Sequence, residues 1–401
     1  MFSIKEAKKE FIVFVISLLL LLGFICWGVL RDNNADGADD GNLGTASDYP
    51  EYYDYDFSDK YYYNQLSPIL KREFAKIYYG VQNYQTSIVV NDLTITDLNK
   101  IIYILHFDCP ELFYLSDSEQ NFNHVGEKAT IYYPQYIYTT DTVNKMREEI
   151  LGATIKFKSS LNNSSPAEIE KYIHDYLISN VSYTQETDNC MNIYGAIIEG
   201  KGNCKGYSSA FTYLARELGL PSAQVIGYAS ETDASVGHSW NVVKLNNMYY
   251  YIDVCWDDFD NNEKYGGLSG SYIFYNLPAN KMALSHNPTE TINNLGDPPS
   301  DNDSSLIYYK RTGFYAFDLE SAQKIIHNGI SRIVKGDSTY VILQCDTREV
   351  YDSVIKNIQL MIKNEIESQQ YGFSGCELVD INKSNTIILT NFSCSNKEEQ
   401  E

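Results

Sequence analysis

Residues 200–207 read Gly-Lys-Gly-Asn-Cys-Lys-Gly-Tyr, and two further stretches follow: Gly-His-Ser-Trp-Asn at 237–241 and Tyr-Tyr-Tyr-Ile-Asp-Val-Cys-Trp-Asp-Asp at 249–258. Together they supply a thiol, an imidazole and a carboxylate, on Cys204, His238 and Asp253. These are the groups of a cysteine nucleophile that is activated by a base, which a third residue orients. We expect the fold to bring the three stretches together.

The residues after Cys204 predict an amphipathic helix. Apolar residues recur at helical spacing from 210 to 218, and Gly219 and Pro221 follow as stop signals. Cys204 then lies in the first turn of this helix, where the positive end of the helix dipole stabilises a thiolate. The glycines at 200, 202 and 206 are expected to let a substrate backbone approach closely.

Three strands are predicted after this helix, at 223–229, 239–245 and 248–254, and Asn246-Asn247 is a hairpin signal between the last two. With a two-residue loop, Leu245 pairs with Met248. Continued to the strand ends, this register makes Asp253 the diagonal neighbour of His238 on the same face of the sheet. The pattern is compatible with a histidine–carboxylate contact.

Each of these residues also has a purely structural interpretation. A buried free cysteine is common, and a single histidine is more often structural than catalytic. Trp240 and the apolar residues of the hairpin are interpreted as core, and Asp257 and Asp258 as solvated loop carboxylates. The combination favours catalysis: a glycine-flanked cysteine at a helix start, followed by a histidine and an aspartate on successive strands.

These motifs resemble the transglutaminase-like superfamily, whose core belongs with the papain-like cysteine-protease fold. The family pattern is roughly Gly-x-Cys-x-Gly-Tyr-Ala, His-Ala-Trp-Asn and Asp-x-Thr-Trp-Asp-Asp. The chain departs from it at Ser208 and Ser239, which replace alanines, and at Cys255, which replaces the threonine. The resemblance implies an α+β fold with a nucleophile helix packed on an antiparallel sheet. It also implies three roles: Cys204 as nucleophile, His238 as base and Asp253 as its orienting group.

The resemblance extends over roughly residues 165–290. Upstream, 169–183 resembles the helix and short strand that precede the nucleophile. Downstream, Ser285-His286 occupies a position that often follows the triad in bacterial members. More weakly, 108–114 resembles a stretch found before the catalytic core in clostridial-type surface members.

An uncharged apolar run at 11–30 is long enough to span a bilayer. Lysines precede it, and Arg31 and an acidic stretch follow, which favours a cytoplasmic N-terminus and an extracellular body. We expect an uncleaved signal anchor in the cell membrane, with a cleaved signal peptide as the alternative. The chain would then be a membrane-anchored bacterial surface protein.

The chain divides by composition into seven predicted segments. They are a cytoplasmic tail (1–10), the anchor (11–30), an acidic Tyr-rich linker (31–57), an N-terminal α+β region (58–160), the catalytic domain (161–290), a linker (291–304) and a C-terminal α+β region (305–401). In the first α+β region, helices are predicted at 67–79 and 96–106 and a strand at 132–138. The last region reads strand, helix, strand, long helix (353–369) and a hairpin around 382–385.

No His/Cys cluster has metal-ligand spacing, and no Gly-rich phosphate loop follows a strand, so we predict no cofactor and no metal. The formal net charge of −22 argues against nucleic acid as a partner. Cys376 and Cys394 flank the predicted hairpin and could form a disulfide in an oxidising compartment, and Cys190 with Cys255 is a weaker candidate pair. The sequence alone does not fix the connectivity. The oligomeric state stays open.

Two function classes remain. The first is extracellular acyl transfer on protein or peptide amides, with cell-wall peptides among the candidate substrates. Water as acceptor gives a cysteine protease or amidase, and lysine as acceptor gives a transglutaminase. The second is a non-catalytic adhesion or scaffold module that retains the fold. The intact triad favours the enzyme.

Overall fold

The computed structural model describes residues 55–396, apart from 92, 117–120, 162–163, 231–234, 263–264, 266, 289–297 and 369–370. The predicted membrane anchor at 11–30 and most of the acidic linker lie outside the described residues. Among the helices that are described, none is both long and apolar enough to cross a bilayer.

The N-terminal region combines helices with a small sheet of order β1-β3-β2. Polar caps start its helices: Thr94, for example, forms a capping box with Asp97. Both predicted helices are confirmed, with limits of 68–82 and 95–107. The strand predicted at 132–138 is wrong, because β3 ends at Tyr133 and Tyr136 forms an isolated bridge with Leu115. The elements are α1 (Tyr61–Asn64), α2 (Pro68–Gln82), β1 (Ile88–Val89), α3 (Ile95–Phe107), β2 (Asn121–Val125), β3 (Lys128–Tyr133) and α4 (Thr140–Ser159).

The central region is built on an antiparallel four-stranded sheet of order β11-β6-β7-β8, with one long helix, α6, packed against β6 and β7. The elements before the sheet are α5 (Pro166–Asn180), β4 (Ser182–Tyr183), a π-helical turn (Gly195–Glu199), β5 (Lys201–Gly202) and α6 (Cys204–Glu217). The sheet and its connections are β6 (Ser222–Ala229), β7 (Val236–Leu245), β8 (Met248–Ile252), α7 (Val254–Asp257), β9 (Asp258–Asn262), β10 (Leu268–Gly270), α8 (Ala279–Met282) and β11 (His286–Pro288). A helix packed on an antiparallel sheet is the predicted α+β arrangement.

Helix α6, which begins at Cys204, ends where the sequence indicates. Gly219 adopts a φ of +78°, which is the left-handed conformation that favours glycine. The Leu220 N–H donates to the Ala215 carbonyl (2.8 Å), and the Gly219 N–H donates to the Arg216 carbonyl (2.9 Å). This Schellman pattern satisfies carbonyls of the last turn and turns the chain directly into β6.

The C-terminal region carries a second sheet, of order β12-β13-β15-β14. Two helices cover one face and share a separate hydrophobic core with it, while Ile342, Ile381 and Ile388 join the main core of the molecule. The predicted order of strand, helix, strand, long helix and hairpin is confirmed, but a short helix at Tyr308–Thr312 that was not predicted precedes the first strand. The long helix also starts earlier than predicted. The elements are α9 (Tyr308–Thr312), β12 (Tyr315–Ala316), α10 (Leu319–Val334), β13 (Val341–Cys345), α11 (Arg348–Ser368), β14 (Tyr371–Ile381) and β15 (Thr386–Asn396).

A buried charged cluster joins the N-terminal region to the nucleophile helix. The Arg216 guanidinium, near the end of α6, donates to the carbonyl and the carboxylate of Asp108. Asp108 also accepts from the Tyr62 N–H at 2.9 Å, and Lys60 pairs with Glu111 at 2.8 Å. The stretch 108–114, singled out in the sequence, therefore has a structural role in holding α6.

Neither predicted disulfide is formed, because Cys190, Cys255 and Cys376 all carry free thiols. In the terminal hairpin Cys394 pairs with Phe373 rather than with Cys376.

Candidate active site

Cys204 is the first residue of α6, as predicted. Asn203 caps the helix, and its side-chain oxygen accepts from the Lys205 N–H (3.0 Å) and the Gly206 N–H (3.2 Å). No acceptor among the described residues bonds the Cys204 N–H itself. That N–H is therefore available, beside the thiol, for an oxygen that carries developing negative charge.

Two of the three glycines around Cys204 have a structural role. A Cβ atom on Gly206 would lie 2.3 Å from the carbonyl oxygen of Cys190, so this glycine admits the protein's own backbone. Gly200 has a φ of +65°, which an L side chain rarely adopts. A Cβ on Gly202 would make only ordinary contacts, the nearest at 3.4 Å, so no contact of the fold requires glycine there. Close approach of a substrate backbone at these glycines stays a prediction.

The hairpin that carries the base and its partner has the predicted register. Leu245 pairs with Met248, and Asn246 and Asn247 adopt φ values of +50° and +68° in the two-residue turn. The strand ends at Ile252, however, two residues earlier than predicted. The extrapolated pairings of residues 238 and 239 are therefore absent.

Asp253 instead starts the short helix α7 as its N-cap, and its side chain accepts from the Trp256 N–H at 3.1 Å. The predicted contact with the histidine is nevertheless made, because His238 Nε2 lies 2.6 Å from Asp253 Oδ2. Both side chains are buried, with 5 % and 1 % of their surface exposed.

His238 and Asp253 each stabilise the charged form of the other. Burial alone would lower the pKa of His238, but the charge of Asp253 and the hydrogen bond to it, followed by Cys204, raise that pKa to about 10. Burial would raise the pKa of Asp253, but His238 and then His286 hold it below its usual range. Because Nε2 of His238 is bonded to Asp253, Nδ1 is the nitrogen left for the Cys204 thiol. The arrangement suits a protonated His238 that is hydrogen-bonded to the Asp253 carboxylate.

A second imidazole, His286, completes the centre. Strand β11 pairs antiparallel with β6, with His286 opposite Ala229, and His286 Nε2 lies 2.9 Å from the same Oδ2 of Asp253. Ser285 Oγ lies 2.7 Å from His286 Nδ1. The sequence drew attention to Ser285-His286 only through family resemblance, because the strand pairing that places them is not visible in the sequence.

Aromatic rings enclose both imidazoles. The centroid of Trp256 lies 4.9 Å from that of His238 and 4.7 Å from that of His286. Trp240 and Phe274 lie 4.9 Å and 5.2 Å from His286. Such a wall excludes water and strengthens the electrostatic interactions inside it.

The interpretation of Asp257 as a solvated carboxylate is wrong. Its side chain has no exposed surface. Oδ1 accepts from the Ser271 hydroxyl (2.6 Å) and the Phe274 N–H (3.1 Å), and Oδ2 lies 3.3 Å from His174 Nε2. Asp257 thus ties the loop after α7 to helix α5 and supports the floor of the site.

The two serines that depart from the family pattern meet between α6 and the sheet. Ser208 Oγ lies 2.9 Å from Ser239 Oγ, and the Gln224 amide also donates to Ser208. Nearby, Asn241 Nδ2 donates to the Ser208 carbonyl at 2.9 Å and to Thr212 Oγ1 at 2.8 Å. These buried bonds fix the helix that carries Cys204 against the strand that carries His238.

Tyr183 lies close to Cys204 and is 47 % exposed. Burial and then the nearby Cys204 raise the pKa of Tyr183, and Gln185 Nε2 donates to the phenol oxygen at 2.8 Å.

In the described part of the chain, one group of side chains is close enough to hold a metal ion: His238, Asp253 and His286. The Nε2 atoms of His238 and His286 are each already hydrogen-bonded to Asp253 Oδ2. Hydrogen bonding therefore accounts for the geometry of this group.

Comparisons with known proteins agree with the sequence motifs. Residues 154–254 match the family model of the Transglutaminase-like superfamily, so this region of the chain is transglutaminase-like. A search of curated proteins found no match.

Among solved structures, similar chains include a TGase (13 % identity, TM-score 0.25, covering 42 % of this chain and 50 % of that one). Another is a candidate cysteine protease from Cytophaga hutchinsonii (16 % identity, TM-score 0.24, 32 % and 51 %). A third is menin, in a structure that reveals its binding site for the Mixed Lineage Leukemia protein (13 % identity, TM-score 0.23, 48 % and 37 %). The chain thus covers about half or less of each of these structures.

Proposed function

We propose that the transglutaminase-like region is a thiol-dependent acyl-transfer enzyme that acts on protein or peptide amides. In this proposal Cys204 is the nucleophile, His238 the acid and base, and Asp253 the group that orients His238. The observation that carries the proposal is the buried 2.6 Å contact between His238 and Asp253, with Cys204, at a helix start, as a second hydrogen-bond partner of His238.

The reaction follows from the positions of these groups. The Cys204 thiolate attacks the amide carbonyl carbon, and the Cys204 N–H stabilises the oxygen that becomes negative. His238 gives its Nδ1 proton to the departing amine or ammonia, which leaves a thioester on Cys204. His238 then takes a proton from water or from an acceptor amine, whose attack releases the acyl group and restores the thiolate.

The acceptor decides the outcome. Water gives a protease, amidase or deamidase, and a lysine amine gives a cross-linking transglutaminase. We propose that the region works outside the cell, anchored through the apolar run at 11–30, and that cell-wall peptides are candidate substrates.

The first test measures thiol reactivity. Iodoacetamide is added to the purified protein near neutral pH, and labelling of each cysteine is followed by peptide mass spectrometry. Cys204 should react faster than Cys190 and Cys255, because it is a thiolate at a helix start beside an imidazolium. Slow labelling of Cys204, at the rate of the other thiols, would refute the catalytic assignment.

The second test measures turnover. The protein is incubated with cell-wall peptides and surface proteins, with and without an added amine, and the product masses are determined. Cys204→Ala should abolish turnover, His238→Ala should come close to that, and Asp253→Ala should have a smaller effect. Thermal melting of each variant is measured in parallel. Full activity in Asp253→Ala would mean that the orienting group was wrongly assigned, and unfolding of Cys204→Ala would favour a packed core cysteine in a non-catalytic module.

Topology has its own test. Protease added to intact cells should remove the chain beyond about residue 31 and leave the anchor in the membrane fraction. Release of the body without protease would indicate a cleaved signal peptide instead.

A further inference from the structure

One oxygen of Asp253 is shared between two imidazoles. Oδ2 lies 2.6 Å from His238 Nε2 and 2.9 Å from His286 Nε2, while Oδ1 accepts from the Trp256 N–H. An ionised carboxylate can only accept, so both Nε2 atoms carry hydrogen and three N–H groups point at one carboxylate. A triad needs only one of these two imidazoles.

The second imidazole is neutral. The Ser285 hydroxyl has one hydrogen and two candidate acceptors, His286 Nδ1 at 2.7 Å and the Met282 carbonyl at 3.5 Å. The shorter contact is the better hydrogen bond, so Ser285 donates to Nδ1, and that nitrogen carries no hydrogen. Burial also lowers the pKa of His286, despite the attraction of Asp253.

The imidazoles of His238 and His286 therefore differ in the group that faces Nδ1. Nδ1 of His238 is left for a thiol that can give up a proton, whereas Nδ1 of His286 is occupied by a hydroxyl that donates. His286 has 1 % of its surface exposed, so solvent does not compete for these contacts. The charged groups that act on His286 are Asp253 and His238, with a smaller attraction from Asp257.

The sheet holds His286 in a fixed orientation. A Cβ atom on Gly227 of β6 would lie 2.2 Å from the Asn287 carbonyl and 2.6 Å from the Trp240 ring, so only glycine lets β11 approach this closely. The ring of His286 is packed among three aromatic rings, at centroid distances of 4.7 to 5.2 Å. Rotation of this imidazole away from Asp253 would disturb all of these contacts.

We propose that His286 is a positioning residue for the acyl-transfer centre. Its Nε2–H fixes the orientation of Asp253 Oδ2 towards His238, and its neutral state, maintained by Ser285, leaves the single positive charge on His238. This inference rests on the proposed function, because it concerns the same thiolate–imidazolium pair.

The experiment compares His286→Phe with His286→Gln in the full-length protein. Phenylalanine keeps a buried ring but removes both nitrogens, whereas the glutamine amide can present an N–H to Oδ2. The probe is the rate of iodoacetamide alkylation of Cys204 as a function of pH, so no substrate needs to be known. Thermal melting is measured on the same samples.

We expect His286→Phe to slow alkylation at pH 7 by about 10-fold or more, the range for a lost hydrogen bond to a charged group. The rise of the alkylation rate with pH should also move to higher pH in this variant. Without the hydrogen bond from His286, Asp253 is less well oriented and stabilises the His238 imidazolium less, so the Cys204 thiolate forms less readily. His286→Gln should recover the rate to within about threefold, since one hydrogen bond of this kind is restored. A matched control is His327→Phe, which removes a half-exposed imidazole bonded to Glu365 in the C-terminal region, and it should leave the rate and pH profile unchanged.

Two results would overturn the inference: a folded His286→Phe with the wild-type rate and pH profile, or a folded His286→Gln as slow as His286→Phe. If His286→Phe does not fold, Ser285→Ala carries the test. It should slow alkylation about threefold or more through the loss of one neutral hydrogen bond, and a wild-type rate and profile would overturn the inference. A wild-type Cys204 that is no faster than Cys190 overturns the proposed function itself, and this inference with it.

Discussion

Glu170 is a buried carboxyl group on helix α5 whose ionisation the fold opposes. Its Oε2 accepts from the Tyr275 hydroxyl and from Asn276 Nδ2, both at 2.9 Å. Glu170 Oε1 and Asn276 Oδ1 are buried, and neither has a hydrogen-bond partner among the described residues. Both oxygens gain a partner if Glu170 Oε1 carries a proton and donates it to Asn276 Oδ1. A carboxylic acid and a primary amide can form two parallel hydrogen bonds of this kind.

The pKa agrees with this geometry. Burial raises the pKa of Glu170 from 4.5 to about 7, against the opposing effects of its hydrogen bonds and of the more distant His174 and Arg311. The folded protein therefore keeps this proton up to about pH 7, whereas the unfolded chain releases it near pH 4.5. Between those values the folded state binds more protons, so stability falls as pH rises and is constant above that range. Each unit of difference between the folded and unfolded pKa corresponds to about 1.4 kcal/mol. The free energy of unfolding therefore falls by about 3 kcal/mol across this pH range.

Glu170→Gln removes this dependence. The glutamine amide can donate to Asn276 Oδ1 and accept from Tyr275 and Asn276 at every pH. We expect the free energy of unfolding of the variant to exceed that of the wild type by up to about 3 kcal/mol at pH 8, and by about 1 kcal/mol or less at pH 5, where the proton is mostly retained. Urea unfolding followed by circular dichroism at both pH values measures the two differences.

The matched control is Glu148→Gln, on the exposed face of helix α4. It removes the same charge from the surface, so its effect should be below about 0.5 kcal/mol at both pH values. The difference in the free energy of unfolding between Glu170→Gln and the wild type should therefore depend on pH. An equal difference at pH 5 and pH 8, or no difference at pH 8, would show that Glu170 does not hold a proton in the folded state.

Three further experiments, with four substitutions, test the packing of helix α6 and the turn of the β7–β8 hairpin. Arg216→Ala should lower the free energy of unfolding by about 3–5 kcal/mol in urea titrations, because it leaves the buried Asp108 carboxylate without its partner. Ser208→Ala and Ser239→Ala should each destabilise the protein, and a double-mutant cycle should give a coupling of about 1 kcal/mol, whereas additive effects would contradict their hydrogen bond. Asn247→Gly should raise the melting temperature, with a gain of up to about 1 kcal/mol, because glycine adopts the φ of +68° without strain.

The positions of Cys204 and of the hairpin register could be predicted because they depend on neighbours in the chain. Asn203, the apolar spacing after it and Gly219 define one helix, and the Asn246-Asn247 turn fixes the pairing of β7 with β8. Helix caps and hairpin turns depend on only a few neighbouring residues, so they form in the same way in different folds.

The end of β8 shows where such extrapolation fails. The sequence after Ile252 continues with apolar residues, but Asp253 accepts from the N–H three residues later and starts a helical turn. Aspartate is a strong N-cap, so this signal was present in the sequence. A prediction from strand propensity alone makes the strand too long. In the structure, the Asp253 N–H donates instead to the Phe274 carbonyl, which lies outside the hairpin.

His286 and Asp257 could not be assigned in the same way, because their surroundings come from distant parts of the chain. His286 reaches Asp253 across 33 residues, through a strand pairing of only three residues. Asp257 is buried by partners on α5 and on the segment after β10. A short polar stretch with weak periodicity gives no local sign of such burial.

The two serines show how separate departures from a family pattern can be one feature. Taken singly, Ser208 introduces a hydroxyl into a buried helix face and Ser239 introduces one into a buried strand, and each would be unfavourable without a partner. The Cys204 carbonyl (2.8 Å) and the Val225 carbonyl (3.2 Å) are backbone acceptors for Ser208 and Ser239. The two hydroxyls, placed 2.9 Å apart, also bond each other, and the Gln224 amide donates to Ser208 Oγ. Since Ser208 lies one turn after Cys204 and Ser239 directly follows His238, this bond joins the two elements whose spacing the proposed chemistry requires. The departures are therefore best understood as a polar link between the helix that carries Cys204 and the strand that carries His238, in place of an apolar contact between two alanines.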